Sequence, residues 1–211
     1  MTATDIQLIE TIRVQPGRHV PLLAGHQKRL EASCEALGYP WPGAALHAAL
    51  HLHVSQLDVN NSHRLRLLLG ADGRYSLESN PLAPTPEPVR LSLRSVPLQA
   101  ESFWLQHKTT RRPWYADAQN WLEENPEFFD VVYCNDKDEV CEGSRSNVYI
   151  RNDDGAWLTP PISCGLLPGV QRQALLDEGL VREAVLSRSD FQNAPVLRVS
   201  NALRGWLDAT L

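Results

Sequence analysis

No run of about 18 apolar residues, the length a helix needs to cross a bilayer, occurs in the 211-residue chain. The opening residues, MTATDIQLIE, have neither a cationic start nor an apolar stretch of the kind that marks a secretory leader, so a cytoplasmic protein is expected. Basic side chains are outnumbered by acidic ones, 20 against 25, and no Lys/Arg run is present. The electrostatic footprint of a nucleic-acid or anionic-membrane binder is therefore missing. A small polar or anionic metabolite stays open, because one local site can be basic on an acidic protein. Only four cysteines occur, Cys34, Cys134, Cys141 and Cys164, and none form a CxxC pair. That removes zinc knuckles and thioredoxin-like redox motifs and leaves reduced, mostly buried thiols. Neither GxGxxG, GxxxxGK[ST] nor GxSxG can be found, which argues against those nucleotide-binding loops and against a hydrolase elbow. His47 and His51 stand four apart on a helical stretch with His53 close by, but no nearby carboxylate completes a metal site. They read as a polar helix face, and no metal is expected.

What is present is ordinary globular composition, 43% hydrophobic and 21% charged, in a chain long enough for one large domain or two small ones. Residues 6–14, IQLIETIRV, followed by Pro16-Gly17 and HVPLL, predict a hairpin. From His26 to Leu37, Leu30, Cys34 and Leu37 fall at helical spacing and Gly38 stands at the C-cap position. Leu46, Leu50, Val54 and Leu57 predict a second helix over about 43–57. HRLRLLLG and RYSLES flank Asp72-Gly73 as the two strands of a hairpin. Pro81, Pro84, Pro86 and Pro88 then make the best linker in the chain, which divides it into domains 1–86 and 87–211.

Beyond the linker, VRLSLRSV predicts a half-buried strand and Pro113 opens a helix over 113–124. DVVYCN, SNVYIR and AWLT predict successive antiparallel strands separated by the turns NDKDE and NDDG. Leu167-Pro168-Gly169-Val170 opens a helix running to about Glu178. Two last strands, near 180–186 and 195–200, enclose the polar segment SRSDFQ. A largely antiparallel sheet with interspersed helices in two lobes is an α+β pattern.

Six segments in fixed order are more specific than any of these periodicities. They are LIETIRV (8–14), HQKRLEASCEALG (26–38), HKTTRR (107–112), EVCEGSRSNVYI (139–150), TPPISCGLLPGVQR (159–172) and VSNALRG (199–205). Together they resemble the class IV aminotransferases, the pyridoxal-phosphate enzymes of fold type IV, over nearly the whole chain. The resemblance implies a small α/β N-terminal domain and a larger barrel-like α/β C-terminal domain. HKTTRR and SNALRG look most like 4-amino-4-deoxychorismate lyase, especially the lyase-like domains fused to aminodeoxychorismate synthase.

The same resemblance assigns roles by position. Lys108 would bind the cofactor aldehyde and, once released by substrate, serve as the proton-transfer base. Glu142 would face the pyridine nitrogen and keep it protonated. Arg29 in HQKRL would grip the cofactor phosphate with its guanidinium fork. Gly169, Val170 and Gln171 would meet that phosphate through backbone N–H groups at a helix start, although many relatives have Thr where Gln171 stands. Ser200, Asn201 and Ala202 would form the last phosphate-side loop, and Asn147 joins the cofactor-binding set. Arg13 and Arg111 are candidates for substrate carboxylates, with Thr110 and Tyr115 weaker ones. A homodimer is implied, and a separately encoded aminodeoxychorismate synthase is a candidate partner. Relatives usually carry a strand and an aromatic-Gly-Asp-Gly segment before the ETIRV-like strand, whereas this chain begins a few residues ahead of it. Part of the pocket wall is expected to be missing or supplied otherwise. The readings to separate are a lyase, an amino-acid transaminase of the branched-chain or D-amino-acid type using the same Lys108 and Glu142, and a catalytically silent partner-binding domain.

Overall fold

The computed structural model describes residues 6–211. The first five residues, on which the reading of a missing leader partly rests, lie outside them. The chain forms two compact units, one of residues 1–84 with 107–111 and one of 85–106 with 112–211. It leaves the smaller unit inside the proline-rich stretch and returns to it for His107–Arg111.

In the smaller unit, β1 (Leu8–Val14), β2 (His63–Leu69) and β3 (Tyr75–Pro81) form an antiparallel sheet in the order β1-β2-β3. Alternation places Leu8, Ile12 and Val14 with Leu65, Leu67 and Leu69 on one face. α1 (Leu23–Leu37) and α2 (Gly43–Ser55) cover that face with Leu30, Cys34, Leu46 and Leu50. α1 ends at Gly38, whose left-handed φ of 68° and N–H bonds to the last carbonyls terminate it as the sequence predicted. The hairpin expected from residues 6–23 is not formed. Gln15 and His19 share a single bridge, Pro16–Arg18 make one 3-10 turn, and β1 pairs instead with the distant β2. The Asp72-Gly73 hairpin does form, and Asp72 Oδ1 accepts the Arg74 N–H at 3.0 Å.

The larger unit is built on a curled eight-stranded sheet. Its strands are β4 (Val89–Leu93), β5 (Asp130–Cys134), β6 (Val140–Gly143), β7 (Asn147–Arg151), β8 (Trp157–Thr159), β9 (Val181–Glu183), β10 (Leu197–Asn201) and β11 (Gly205–Thr210). The order is β6-β5-β4-β11-β10-β7-β8-β9. The β11/β4, β4/β5 and β8/β9 pairs are parallel, so the sheet is mixed rather than a run of antiparallel neighbours. Two of its strands, β6 and β11, escaped the sequence reading. β6 is buried at all four positions, so it shows no alternation. The helix expected over 113–124 is a 3-10 turn (Pro113–Tyr115) continuing into an α-helix (Ala116–Glu124). The helix opened by Leu167 starts later, at Val170, and runs to Asp177. The polar SRSDFQ segment is itself a short helix (Arg188–Asn193), started by a capping box between Ser187 and Asp190. Four helices follow α1 and α2: α3 (Ser102–Leu105), α4 (Ala116–Glu124), α5 (Val170–Asp177) and α6 (Arg188–Asn193).

All four cysteines are buried and free. Among the described residues no helix is long and apolar enough to cross a membrane, and no group of three or more His, Cys, Asp or Glu could hold a metal ion.

Candidate functional site

The smaller unit contributes Arg29, Lys108, Arg13 and Arg111. β1 alternates, so Glu10 falls on the same inward face as Leu8 and Ile12, and it is 2% exposed. A carboxylate buried there needs partners. α1 supplies two from one face, His26 and Arg29, three residues apart. Glu10 Oε1 accepts from Arg29 Nε at 2.8 Å, and Oε2 accepts from Arg29 Nη2 and from His26 Nδ1, the latter at 2.6 Å. Burial works against the Glu10 charge, but the Arg29 guanidinium and the hydrogen bonds from His26 and Arg29 outweigh it and hold the carboxyl down at about 2. Arg29 is thus clamped along one edge of its fork by a residue the motif reading did not single out.

Lys108 sits on the free side of β1. Its carbonyl accepts the Ile9 N–H at 2.8 Å, Leu8 and Thr109 form an antiparallel bridge, and the Thr110 N–H reaches the Gln7 carbonyl at 2.8 Å. Thr110 Oγ1 in turn accepts the Gln7 N–H at 3.0 Å. β-branched Thr109 and Thr110 favour this extended backbone, so the lysine is carried on a rigid rung rather than a loose loop. His107 Nδ1 lies 3.0 Å from Ser33 Oγ of α1, which ties the rung's start to the helix. Arg13 is half-buried on the opposite face of β1, beside Arg64 of β2, and its Nε is sealed without a hydrogen-bond partner. Arg111 ends the Lys108 rung, its carbonyl accepting from Thr109 Oγ1 at 3.1 Å.

The larger unit contributes the remaining candidates. Glu142 lies on β6, 4% exposed, and its Oε1 accepts from the Tyr115 hydroxyl at 2.7 Å. Burial, followed by the adjacent Glu142 charge, pushes the Tyr115 phenol well above its ordinary range, so it remains a donor. Arg112 lies over the Tyr115 ring, 4.7 Å from its centroid, and donates to the Ser144 carbonyl at 2.8 Å. The turn after Glu142 is organised by Asp130, which is fully buried on β5. It accepts from Ser144 Oγ at 2.6 Å, from Ser146 Oγ, and from the Val131 and Arg145 N–H groups at 2.8 and 3.2 Å. A Cβ at Gly143 would overlap Asp130 Oδ2, which is why the motif needs glycine after the glutamate.

The β7/β10 register sets Asn147 directly opposite Ser200. Asn147 Nδ2 donates to the Leu167 carbonyl at 3.0 Å, and its Oδ1 occupies the space a Cβ on Gly169 would need. One side chain thereby brings the Leu167–Gly169 loop against β7. Gly169 is the N-cap of α5, whose start has no side-chain cap, so the backbone N–H groups of its first turn, including Val170 and Gln171, face outward from the helix end. Ser200 Oγ lies 2.7 Å from the Tyr149 hydroxyl. Asn201 Oδ1 accepts the Arg204 N–H at 2.8 Å and shapes the turn containing Ala202. Three segments far apart in sequence, at 147, 167–171 and 200–202, are therefore gathered by the β7/β10 pairing and the Asn147 side chain. Arg172, 1% exposed, fixes the preceding segment by donating to the Pro160 carbonyl at 2.7 Å.

Glu10, His26 and Asp130 were not singled out by motif reading, and Tyr115, a weak candidate there, bonds Glu142. For Glu10 the signal was available: an acid on the inward phase of an alternating strand, with His and Arg at helical spacing downstream.

An α+β chain with a curled, mixed eight-stranded sheet and a small three-stranded one has the fold of the type IV aminotransferases. The family comparison agrees. The chain matches the model of the class IV aminotransferases over residues 7–211 and belongs to that family, whose members are pyridoxal-phosphate enzymes. It is 29% identical over 189 residues to a Schizosaccharomyces pombe protein provisionally described as an aminodeoxychorismate lyase, covering 87% of this chain and 80% of the relative. A solved structure from Mesorhizobium loti, provisionally described as an amino-acid aminotransferase, is 34% identical, with a TM-score of 0.89 and coverage of 98% of this chain and 100% of that one. A Thermotoga maritima structure provisionally described as a branched-chain amino acid aminotransferase shares the fold at 20% identity, with a TM-score of 0.83 over 97% of this chain and 76% of that one.

Proposed function

We propose that this enzyme is a 4-amino-4-deoxychorismate lyase that releases 4-aminobenzoate and pyruvate. The observation that carries the reading is the HKTTRR segment, whose Lys108, Thr109 and Thr110 pair with β1, together with the SNALRG turn after β10. Both are lyase-like, and the S. pombe relative bears a lyase description over most of its length. The donor set suits pyridoxal phosphate: the α5 start has bare N–H groups, and Gly169 has no room for a side chain. Bound covalently through its aldehyde, that cofactor would supply an electron sink for the charge that develops when substrate loses a proton.

The residues of the chain divide the remaining work. Glu142, steadied by the Tyr115 hydroxyl, would hold a proton on the pyridine nitrogen. Arg29, Gly169, Val170, Gln171, Ser200, Asn201 and Ala202 would hold the phosphate, with Asn147 acting through the loop it pins. Lys108, once displaced, would take the proton from the ring carbon bearing the amino group. The enol-pyruvyl methylene gains a proton, the carbon–oxygen bond to the ring breaks, and the ring becomes aromatic as pyruvate leaves. Arg13 and Arg111 would meet the two substrate carboxylates. The family reading extends to a homodimer in the cytoplasm, with an aminodeoxychorismate synthase supplying substrate.

The M. loti relative favours a second reading, an amino-acid transaminase with the same lysine and glutamate. The two differ in stoichiometry. A lyase turns over many times on one substrate, whereas a transaminase stops after one equivalent without a 2-oxo acid. Equal amounts of 4-aminobenzoate and pyruvate formed over many turnovers from aminodeoxychorismate alone are expected. Steady transamination of D- or branched-chain amino acids with 2-oxoglutarate, and no 4-aminobenzoate, would overturn the lyase reading.

A further inference from the structure

We infer that Glu10 is a positioning residue for the cofactor phosphate, acting through Arg29. The inference rests on the reading of Arg29 as a phosphate contact.

An arginine that binds phosphate through two parallel N–H groups must present its fork in a defined plane and direction. Arg29 lies on α1, and a long arginine side chain has enough rotamer freedom to lose that plane. Glu10 removes the freedom. Its two oxygens engage Nε and Nη2 together, which fixes the guanidinium plane and turns its remaining edge away from the carboxylate. Glu10 is itself held from the other side. His26 Nδ1 is 2.6 Å from Oε2, and because the ionised carboxylate only accepts, Nδ1 carries the hydrogen. The alternation of β1 places Glu10 on the inward face, where it is 2% exposed. Its charge is secure at physiological pH, since the guanidinium holds the carboxyl down at about 2.

A carboxylate beside a phosphate-binding arginine has two opposing effects, and their signs differ. As a countercharge it weakens the attraction of Arg29 for a phosphate, so its removal would tighten binding. As an orienting group it presents the fork, so its removal would weaken binding. With direct, charge-assisted contact at both nitrogens, orientation wins. In Glu10→Gln either placement of the amide puts an NH2 group against an Arg29 N–H, so one of the two contacts is lost in both.

The test is absorbance titration of the full-length apoenzyme with pyridoxal phosphate and, separately, with pyridoxal, which has the aldehyde and no phosphate. For Glu10→Gln, the dissociation constant for pyridoxal phosphate should rise about tenfold, the loss of one charge-assisted hydrogen bond, while that for pyridoxal stays within about twofold. Equal weakening toward both ligands would mean a general structural role and would overturn the inference. Unchanged or tighter binding of pyridoxal phosphate would overturn it too, by showing that the countercharge dominates. The double variant Glu10→Gln/Arg29→Met separates the inference from the reading beneath it. If the double variant keeps the wild-type preference for pyridoxal phosphate, Arg29 is not the phosphate contact and both fall. If it loses that preference while Glu10→Gln keeps it, only the positioning role falls. Should Glu10→Gln fail to fold, Glu10→Asp carries the same comparison, because it keeps the charge and withdraws the carboxylate from Arg29 by one methylene.

Discussion

Glu10 in the smaller unit and Asp130 in the larger are both sealed from solvent, yet their carboxyls move in opposite directions from the ordinary range. Glu10 faces a guanidinium and a histidine, and it is held down at about 2. Asp130 collects two serine hydroxyls and two backbone N–H groups and lies near the Arg145 charge, but burial outweighs them all and its carboxyl is raised. Hydrogen bonds from neutral donors and an exposed guanidinium that forms no ion pair offset an anion's lost hydration less than a guanidinium paired directly with it. The difference fits what each carboxylate engages: Glu10 holds the guanidinium of Arg29, whereas Asp130 gathers the turn behind Glu142 through serine hydroxyls and backbone N–H groups.

The contrast can be broken most forcefully at Arg29. Arg29→Met leaves the Glu10 charge buried without its cation and should cost about 3 to 5 kcal/mol in denaturant unfolding. Adding Glu10→Gln should restore most of that loss, because two neutral side chains need no ionic partner. A double variant as unstable as the single one would show that packing, not charge compensation, sets the cost.

A smaller effect lies in the pH dependence, where the two carboxyls have opposite signs. Glu10 has a depressed folded-state value, so its stabilisation is present above the ordinary carboxyl range and is lost as pH falls through that range toward about 2. Asp130 has a raised value, so its contribution is fully present below the ordinary range and is lost as pH rises through the folded value. Between pH 6 and pH 3, Glu10→Gln/Arg29→Met should lose less stability than wild type, and Asp130→Asn should lose more. Deviations of the same sign in the two variants would contradict the assignment of opposite shifts.

The smallest effect calibrates the comparison with a polar group outside both networks. Ser187 caps α6 through an exposed capping box. Ser187→Ala should cost about 1 kcal/mol, well below Arg29→Met, and should leave the pyridoxal-phosphate titration unchanged.

Much of the local structure was legible because periodicity reports which face of an element is buried. α1 and its Gly38 cap, the Asp72-Gly73 hairpin and β4 followed from spacing alone. β6 did not, because a strand buried on both faces has no alternation to read, and EGS resembles a turn. The predicted hairpin at the start failed because a proline-glycine turn is compatible with many continuations, and β2 offered β1 a seven-residue partner with buried leucines on its inward face that HVPLL could not match. α6 was hidden by brevity, since six residues give too little periodicity even with a capping box present.

The sequence by itself determined the family, through ordered motifs, and proposed Lys108, Glu142 and Arg29 for the chemistry, because a pyridoxal-phosphate enzyme needs a lysine for the aldehyde, an acid for the ring nitrogen and cations for the phosphate. Only the tertiary structure decided how those groups are supported. That Asn147 stands opposite Ser200, that Asp130 gathers the turn behind Glu142, and that Glu10 clamps Arg29 depend on which distant segments pair. The physical reason is that a residue's periodicity encodes whether it is buried, while the partner that meets it there is set by strand register and helix packing across tens to more than a hundred residues.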